Sequence, residues 1–351
     1  MITASEKSIS ILNVSRLSWA DVCRTVSIFG VILIHASIDT LKQFEIIPLS
    51  DWMAANLFNS LVRCSVPLFV MLSGALLLKS DVQQASDVTV RQIFRRVGKV
   101  ALPLLTWNIA YLFYLAHYTG QPVNWMSMLS QAPAYHLWFV YMMIGVYILL
   151  PVLQAIFKMM VDKKSLQIYF FALWFFVTCI PIYQPIPLLS LLQQQSIFGY
   201  GGYFLLGSII ATSLNKKYST LFWFFIYFVS VAATFYLTLY FSNKAHSAVE
   251  DAYVSFSPNV FFSSVAAFIL FTRIELKNRL ALIFKWIADR SFLVFFMHVV
   301  VLERAIVMVN SFFPMGSSYL TIFASAMLTF MLCLMMAAVL RFLPKSREVI
   351  G

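Results

Sequence analysis

Long apolar runs broken by short polar clusters organise the whole chain. A membrane-spanning helix needs about 20 mainly apolar residues. Ten segments meet that length: 19–38, 53–78, 98–118, 136–157, 165–183, 196–214, 219–241, 256–272, 288–309 and 316–342. The pattern predicts an all-α, polytopic membrane helix bundle of about ten transmembrane helices. Residues 1–18 form an N-terminal tail, 19–343 the membrane domain and 344–351 a C-terminal tail. An even number of crossings places both termini on one side. No loop is long enough to fold alone, the longest being about 79–97, so function has to reside in the bundle or on its faces. The first apolar run has no small-residue cleavage site after it and reads as a retained helix rather than a signal peptide.

Composition excludes the alternative of two or three soluble domains. Of 351 residues 61% are apolar and only 11% charged, against about 25% charged in soluble proteins. The net charge of +11, from 25 Lys+Arg against 14 Asp+Glu, would suggest nucleic acid in a soluble protein. Its placement says otherwise. With the N-terminus in the cytoplasm, the inside segments hold 20 of the 25 cations, the outside loops hold Lys42 and Lys244, and the spans hold Arg24, Arg63 and Arg304. This 20-to-2 split follows the positive-inside rule. It sets both termini in the cytoplasm and accounts for the basic balance without nucleic acid. The four cysteines are scattered through apolar runs with no CxxC spacing, so neither a disulfide framework nor a metal site is expected.

Ionisable groups at membrane depth cost about 2.5–3.5 kcal/mol or more and mark functional sites by default. Arg24 and His35 share the first span, 11 residues apart. That spacing is about three turns plus 20°, so both lie on one face, separated by about 16 Å. Arg24 then sits toward the cytoplasm and His35 toward the outer half. Snorkelling for Arg24 and an interhelical hydrogen bond for His35 are the plain alternatives. Arg63 lies too deep in the second span to snorkel and needs an anion, either a carboxylate or a substrate oxygen. Ser73-Gly74 permits close approach of a helix or of a ligand. His136 and Trp138 open the fourth span, where an aromatic belt also explains the tryptophan. His298 lies in the ninth span. Arg95, Arg96 and Lys99 precede the third span and suit an anionic donor's phosphates, or ordinary positive-inside charge. No phosphate-cradling glycine-rich loop is present.

These residues resemble the acyltransferase 3 family of integral membrane acyltransferases. Four pieces carry the resemblance over nearly all of 18–343: the Arg24…His35 spacing; Arg63-Cys-Ser-Val-Pro-Leu-Phe-Val-Met-Leu-Ser73-Gly74; His136-Leu-Trp-Phe, with Pro151 at the end of that span; and Ser291-Phe-Leu-Val-Phe-Phe-Met-His298. The resemblance implies transfer of an acyl group, usually acetyl, from cytoplasmic acyl-CoA to a hydroxyl of a surface glycan or its lipid-linked precursor. It implies a bacterial cytoplasmic (inner) membrane location. It makes His35 the catalytic group, with Arg24 required. The family's Arg-x-x-Arg patch is replaced here by Arg96-Val-Gly-Lys99, with Arg95 adjacent. Acyl-CoA would be a donor substrate, with no bound cofactor or metal. Arg63 is the candidate for balancing charge near the reacting carbonyl. The rival class is a secondary transporter or lipid-linked glycan flippase, against which stands the scarcity of acidic groups in the spans for proton coupling.

Overall fold

The computed structural model describes residues 4–78, 89–120, 122–123, 125, 132–183, 197–214, 218–314 and 316–351, with side chains from residue 18 onward except 197, 213 and 214. Most of the expected loop 79–97, together with Lys216 and Lys217, lies outside the described residues. Among the described residues all regular structure is helical. The helices are α1 (Ala4–Leu41), α2 (Leu49–Val62), α3 (Ser65–Leu77), α4 (Val90–Thr119), α5 (Trp138–Ile148), α6 (Leu150–Met160), α7 (Lys164–Thr178), α8 (Ile197–Ile209), α9 (Thr220–Ala245), α10 (Pro258–Thr272), α11 (Asn278–Ala288), α12 (Ser291–Phe312), α13 (Ser318–Leu340) and α14 (Ser346–Val349).

Each of the ten apolar segments is helical. Eight are long and apolar enough to cross a membrane. The segment 136–157 is instead a pair, α5 and α6, bent by 63°. Pro151 at the start of α6 explains the break, because it lacks the N–H that would bond back to Tyr147 and its ring crowds that carbonyl. The segment 196–214 is the short helix α8 followed by a π-helical turn, Ile210–Leu214; residue 196 lies outside the described residues. The second span, Leu49–Leu77, is interrupted at Arg63 and Cys64. Pro67 has the same effect there, since its missing N–H would have met the Arg63 carbonyl four residues earlier.

Two apolar clusters share α1. One gathers α3, α5–α8 and α10 around Met71, Phe157, Tyr203, Phe204 and Phe268. The other joins α2, α4, α12 and α13 to the second half of α1 through Ile32, Trp52, Phe296 and Phe330. In the first, α3 and α8 pack so closely that a Cβ on Gly74 would meet the Phe204 backbone, and one on Gly207 the Met71 backbone. Glycine at 74 therefore serves helix packing. All four cysteines are buried and free.

The loops gather at two ends. At one, Ser18 Oγ accepts from the Leu276 N–H (3.1 Å), Arg341 donates to the Asp289 carbonyl (2.7 Å) and Trp107 donates to the Ile350 carbonyl (3.0 Å). The C-terminal residues are thus pinned to α4. At the other end His246 pairs with Glu45 (3.0 Å), and Asp51 accepts from the Ser318 N–H (3.3 Å). Helix α11 was not expected, being too short to span. It exposes Leu280, Leu282, Ile283 and Trp286 beside Arg279 and Lys285 at the first end, the composition of a helix lying in a membrane interface.

Candidate active site

The seam between the two clusters opens into a cavity of about 380 Å3. Its walls come from α1, α3, α4, α5 and α12. Arg24 and Lys99 line it, with Ser73, Tyr147, Asp289 and Ser291. Arg24 is half-buried, yet makes no hydrogen bond or ion pair within 4 Å among the described residues. Asp21, one turn earlier on α1, feels the charges of Arg24, Asp289 and Lys285. Ser73 Oγ donates to the Phe69 carbonyl (2.9 Å), and the Tyr147 hydroxyl lies within reach of Ser73 and of the charges of Arg24 and Arg96. A guanidinium lining a cavity with no anion within 4 Å among the described residues is suited to bind one.

Of the expected basic patch only Lys99 lines the cavity. Arg95 is exposed, one turn back along α4. Arg96 is half-buried and its Nη1 is sealed with no partner. The capping box at Thr89 and Gln92 starts α4 ahead of these residues, which fixes the face each cation presents.

The inner end of the cavity is aromatic. Phe69 touches Phe139 (ring centroids 6.0 Å) and Phe139 touches Phe295 (5.6 Å). Beyond Phe295 lie three histidines from three separate elements. Phe295 is 5.4 Å from His136 and 5.7 Å from His298. His298 is 4.9 Å from His136 and 5.2 Å from His35. Tyr135 stands edge-on to His35 at 5.1 Å, and Tyr111 edge-on to His136 at 5.4 Å. His136 and His298 are buried, whereas His35 is half-buried. Its Nδ1 is sealed without a partner; its Nε2 is accessible. Among the described residues no set of His, Cys, Asp or Glu is placed to hold a metal ion.

Arg63 lies on the same side of the aromatic layer, with its charge acting on His35. Its anion is Glu250, at 3.8 Å, and its guanidinium lies over the Tyr253 ring, 4.5 Å from the centroid. Tyr253 is itself held by Asn56, whose Oδ1 accepts from the tyrosine hydroxyl at 2.5 Å. Trp138 is exposed and packs against Tyr200 (5.8 Å).

The structure therefore gathers most of the expected site residues into three groups, leaving Arg95, Arg96 and Trp138 outside them. Arg24, Ser73 and Lys99 share the cavity; His35, His136 and His298 share a cluster; Arg63 joins Glu250 and Tyr253. Sequence reasoning had named all three histidines without joining them. It missed Glu250, although a deep arginine in need of an anion pointed to the few loop carboxylates. It also missed Tyr147, Asp289 and the Phe69–Phe139–Phe295 layer, which in sequence are indistinguishable from other apolar-helix residues.

The described bundle thus holds a cation without an anion within 4 Å in a cavity, and a largely buried imidazole cluster behind it. A family model described as an acyltransferase domain matches residues 17–341, and the chain belongs to that family, the acyltransferase 3 proteins. It is an acyltransferase for groups other than aminoacyl groups. No curated protein and no solved structure matches the chain.

Proposed function

We propose that the chain is an O-acyltransferase, transferring acetyl or a related acyl group from cytoplasmic acyl-CoA to a hydroxyl of a surface glycan or its lipid-linked precursor, in a bacterial cytoplasmic membrane. The observation that carries this reading is the alignment of the unpaired Arg24 in the cavity with the His35 cluster along one helix. The end bearing Arg24, Lys99 and Arg341 faces the cytoplasm in this reading, with both termini, as the positive-inside rule requires. Arg24 and Lys99 hold the donor's phosphates, with Arg95 and Arg96 at the mouth. Acyl-CoA is a donor substrate and no resident cofactor is involved.

In the reaction the acceptor oxygen bonds to the thioester carbon, the C–S bond breaks, and the thiolate leaves. His35 Nε2 takes the hydroxyl proton and returns it to the departing sulfur, since imidazole titrates nearest neutral pH. The same nitrogen suits an acyl-imidazole relay. Arg63, fixed by Glu250 and Tyr253, keeps a cation in the half of the bundle where negative charge develops on the carbonyl oxygen. Trp138 and Tyr135 offer aromatic faces to the acceptor.

The test is incubation of the purified protein with radiolabelled acetyl-CoA and a membrane glycolipid extract. Labelled glycan supports the reading; glycan movement without label means a transporter or flippase. His35→Ala and Arg24→Ala proteins that reach the membrane and keep full activity would sink the assignment.

A further inference from the structure

At the end of the bundle where Arg341 meets Asp289, three arginines come within reach of one another's charge. Helix α11 ends at Ala288, and the carbonyls of its last turn need partners. Two arginines supply them. Arg290 donates from Nη1 to the Trp286 carbonyl (2.8 Å), with its guanidinium over the Trp286 ring, 4.0 Å from the centroid. Arg341, just past α13, reaches across and donates from Nη2 to the Asp289 carbonyl (2.7 Å). The chain then turns back through Lys345, whose φ of 56° lies in the left-handed region, into α14. That turn brings in Arg347. Burial, then the like charges of Arg347 and Arg290, push the Arg341 guanidinium below its ordinary range, while the Asp289 carboxylate acts the other way. Capping of α11 accounts for one donor on each of Arg290 and Arg341. Arg290 Nε is sealed, but Arg290 Nη2 and Arg341 Nε and Nη1 remain open and unpaired among the described residues. None of the three arginines has a carboxylate within 4 Å among those residues. The positive-inside rule accounts for cations at this end but not for their convergence.

The flanking surface is apolar and open. Phe342, next to Arg341, is 89% exposed, and Val339 and Leu343 are exposed beside it. Helix α11 exposes Leu282, Ile283 and Trp286. None of the three arginines lines the cavity, which has Arg24 and Lys99 of its own. We propose that Arg290, Arg341 and Arg347 form a site for the headgroup phosphate of an anionic phospholipid, whose acyl chains lie on the exposed apolar residues of α11 and of the end of α13. A phosphodiester spreads one negative charge over two oxygens, which suits the open, planar donors of neighbouring guanidinium groups. Bound there, it offsets the repulsion among three cations and ties the interfacial helix α11 to α13. Basic sites at the ends of spanning helices hold lipid headgroups by the same electrostatics. Asp289, whose carbonyl Arg341 holds, also lines the cavity, so the lipid braces one of its walls. The site stands independently of the reaction proposed above.

The test places the full chain in nanodiscs of equal parts phosphatidylglycerol and phosphatidylcholine and counts the lipids retained on release by native mass spectrometry. The wild-type protein should retain phosphatidylglycerol over phosphatidylcholine by about tenfold, as for two or three cation contacts to one headgroup. Arg341→Gln together with Arg347→Gln should bring that ratio to about twofold or less. Lys163→Gln together with Lys164→Gln removes the same charge elsewhere and should leave the ratio unchanged. Full retention by the arginine variant, or an equal loss in the lysine variant, overturns the proposal. Two measurements on the wild-type protein keep the test open should the arginine variant fail to fold. A phosphatidylglycerol with a photoreactive group near its glycerol should label the peptides that hold Trp286 and Phe342; labelling only elsewhere overturns the site. Excess CoA or inorganic phosphate, at constant ionic strength, should leave the retained phosphatidylglycerol in place. Displacement by either would assign the arginines to a soluble phosphate and overturn the lipid assignment.

Discussion

The two arginines that the apolar pattern leaves inside the first two spans have opposite surroundings. Arg63 has a counter-charge, although its Nε is buried without a hydrogen-bond partner. Glu250 lies 3.8 Å from its guanidinium, Tyr253 lies under it and Asn56 holds Tyr253 in place. Arg24 lines a cavity with no partner within bonding distance among the described residues. Depth alone does not distinguish them; what distinguishes them is whether a carboxylate lies within 4 Å of the guanidinium. A cation that is already matched is a fixed part of the electrostatic scenery. One that is not matched waits for an anion from outside. The same contrast divides the bundle, with a polar vestibule on one side of the Phe69–Phe139–Phe295 layer and a largely buried imidazole cluster on the other.

This contrast can be broken most sharply at His35. His35→Ala should lower acyl transfer by about 1000-fold, within the range for loss of a general base, with binding of acyl-CoA by calorimetry retained. Next comes Arg24→Ala, for which kcat/KM for acyl-CoA should fall by about 10–100-fold, as for a lost charge-assisted contact of about 1.5–3 kcal/mol. Arg63→Ala should instead lower the thermal midpoint while the donor KM stays within about twofold; a donor KM raised as far as in Arg24→Ala would erase the distinction between the two. Phe295→Ala tests the layer. It should raise acceptor-independent hydrolysis of acyl-CoA by roughly tenfold, about 1.4 kcal/mol in barrier, as water gains access to the cluster; unchanged hydrolysis would mean that the layer is packing only. Smallest is the basic face of α4. Lys99→Ala should raise the donor KM by about threefold and joint neutralisation of Arg95 and Arg96 by no more, each amounting to roughly 0.6 kcal/mol or less for exposed charges.

Much of the fold was legible because lipid imposes a single demand, a run of about 20 apolar residues for each crossing. That demand found all ten segments. It did not find the bend at Leu149 or the interruption at Arg63 and Cys64, although Pro151 and Pro67 stand in the sequence four residues after the carbonyls their missing N–H groups would have met. Nor did it find α11, whose apolar and basic residues serve an interface rather than a span. At the site, 11-residue spacing was enough to put Arg24 and His35 on one face, because both ride on one continuous helix. The meeting of His35, His136 and His298 was not legible. Those residues are joined by the packing of α12 and the Tyr135–Leu137 turn against α1, which is set by side-chain shape across hundreds of residues of sequence. Gly74 shows the same limit from the other direction. Its smallness was clear, but only the Phe204 backbone beside it tells that a helix and not a ligand takes the space.

The aromatic layer has one more consequence, and it concerns leakage. In a membrane that stores energy as a proton gradient, an embedded enzyme must not short-circuit that store. An unbroken file of water from the vestibule to three imidazoles would be an efficient proton wire. Three phenylalanine rings across the file interrupt it, since they offer no atom that can pass a proton along. In the proposed orientation the layer therefore lets the bundle act as an insulator between the vestibule and the histidine cluster.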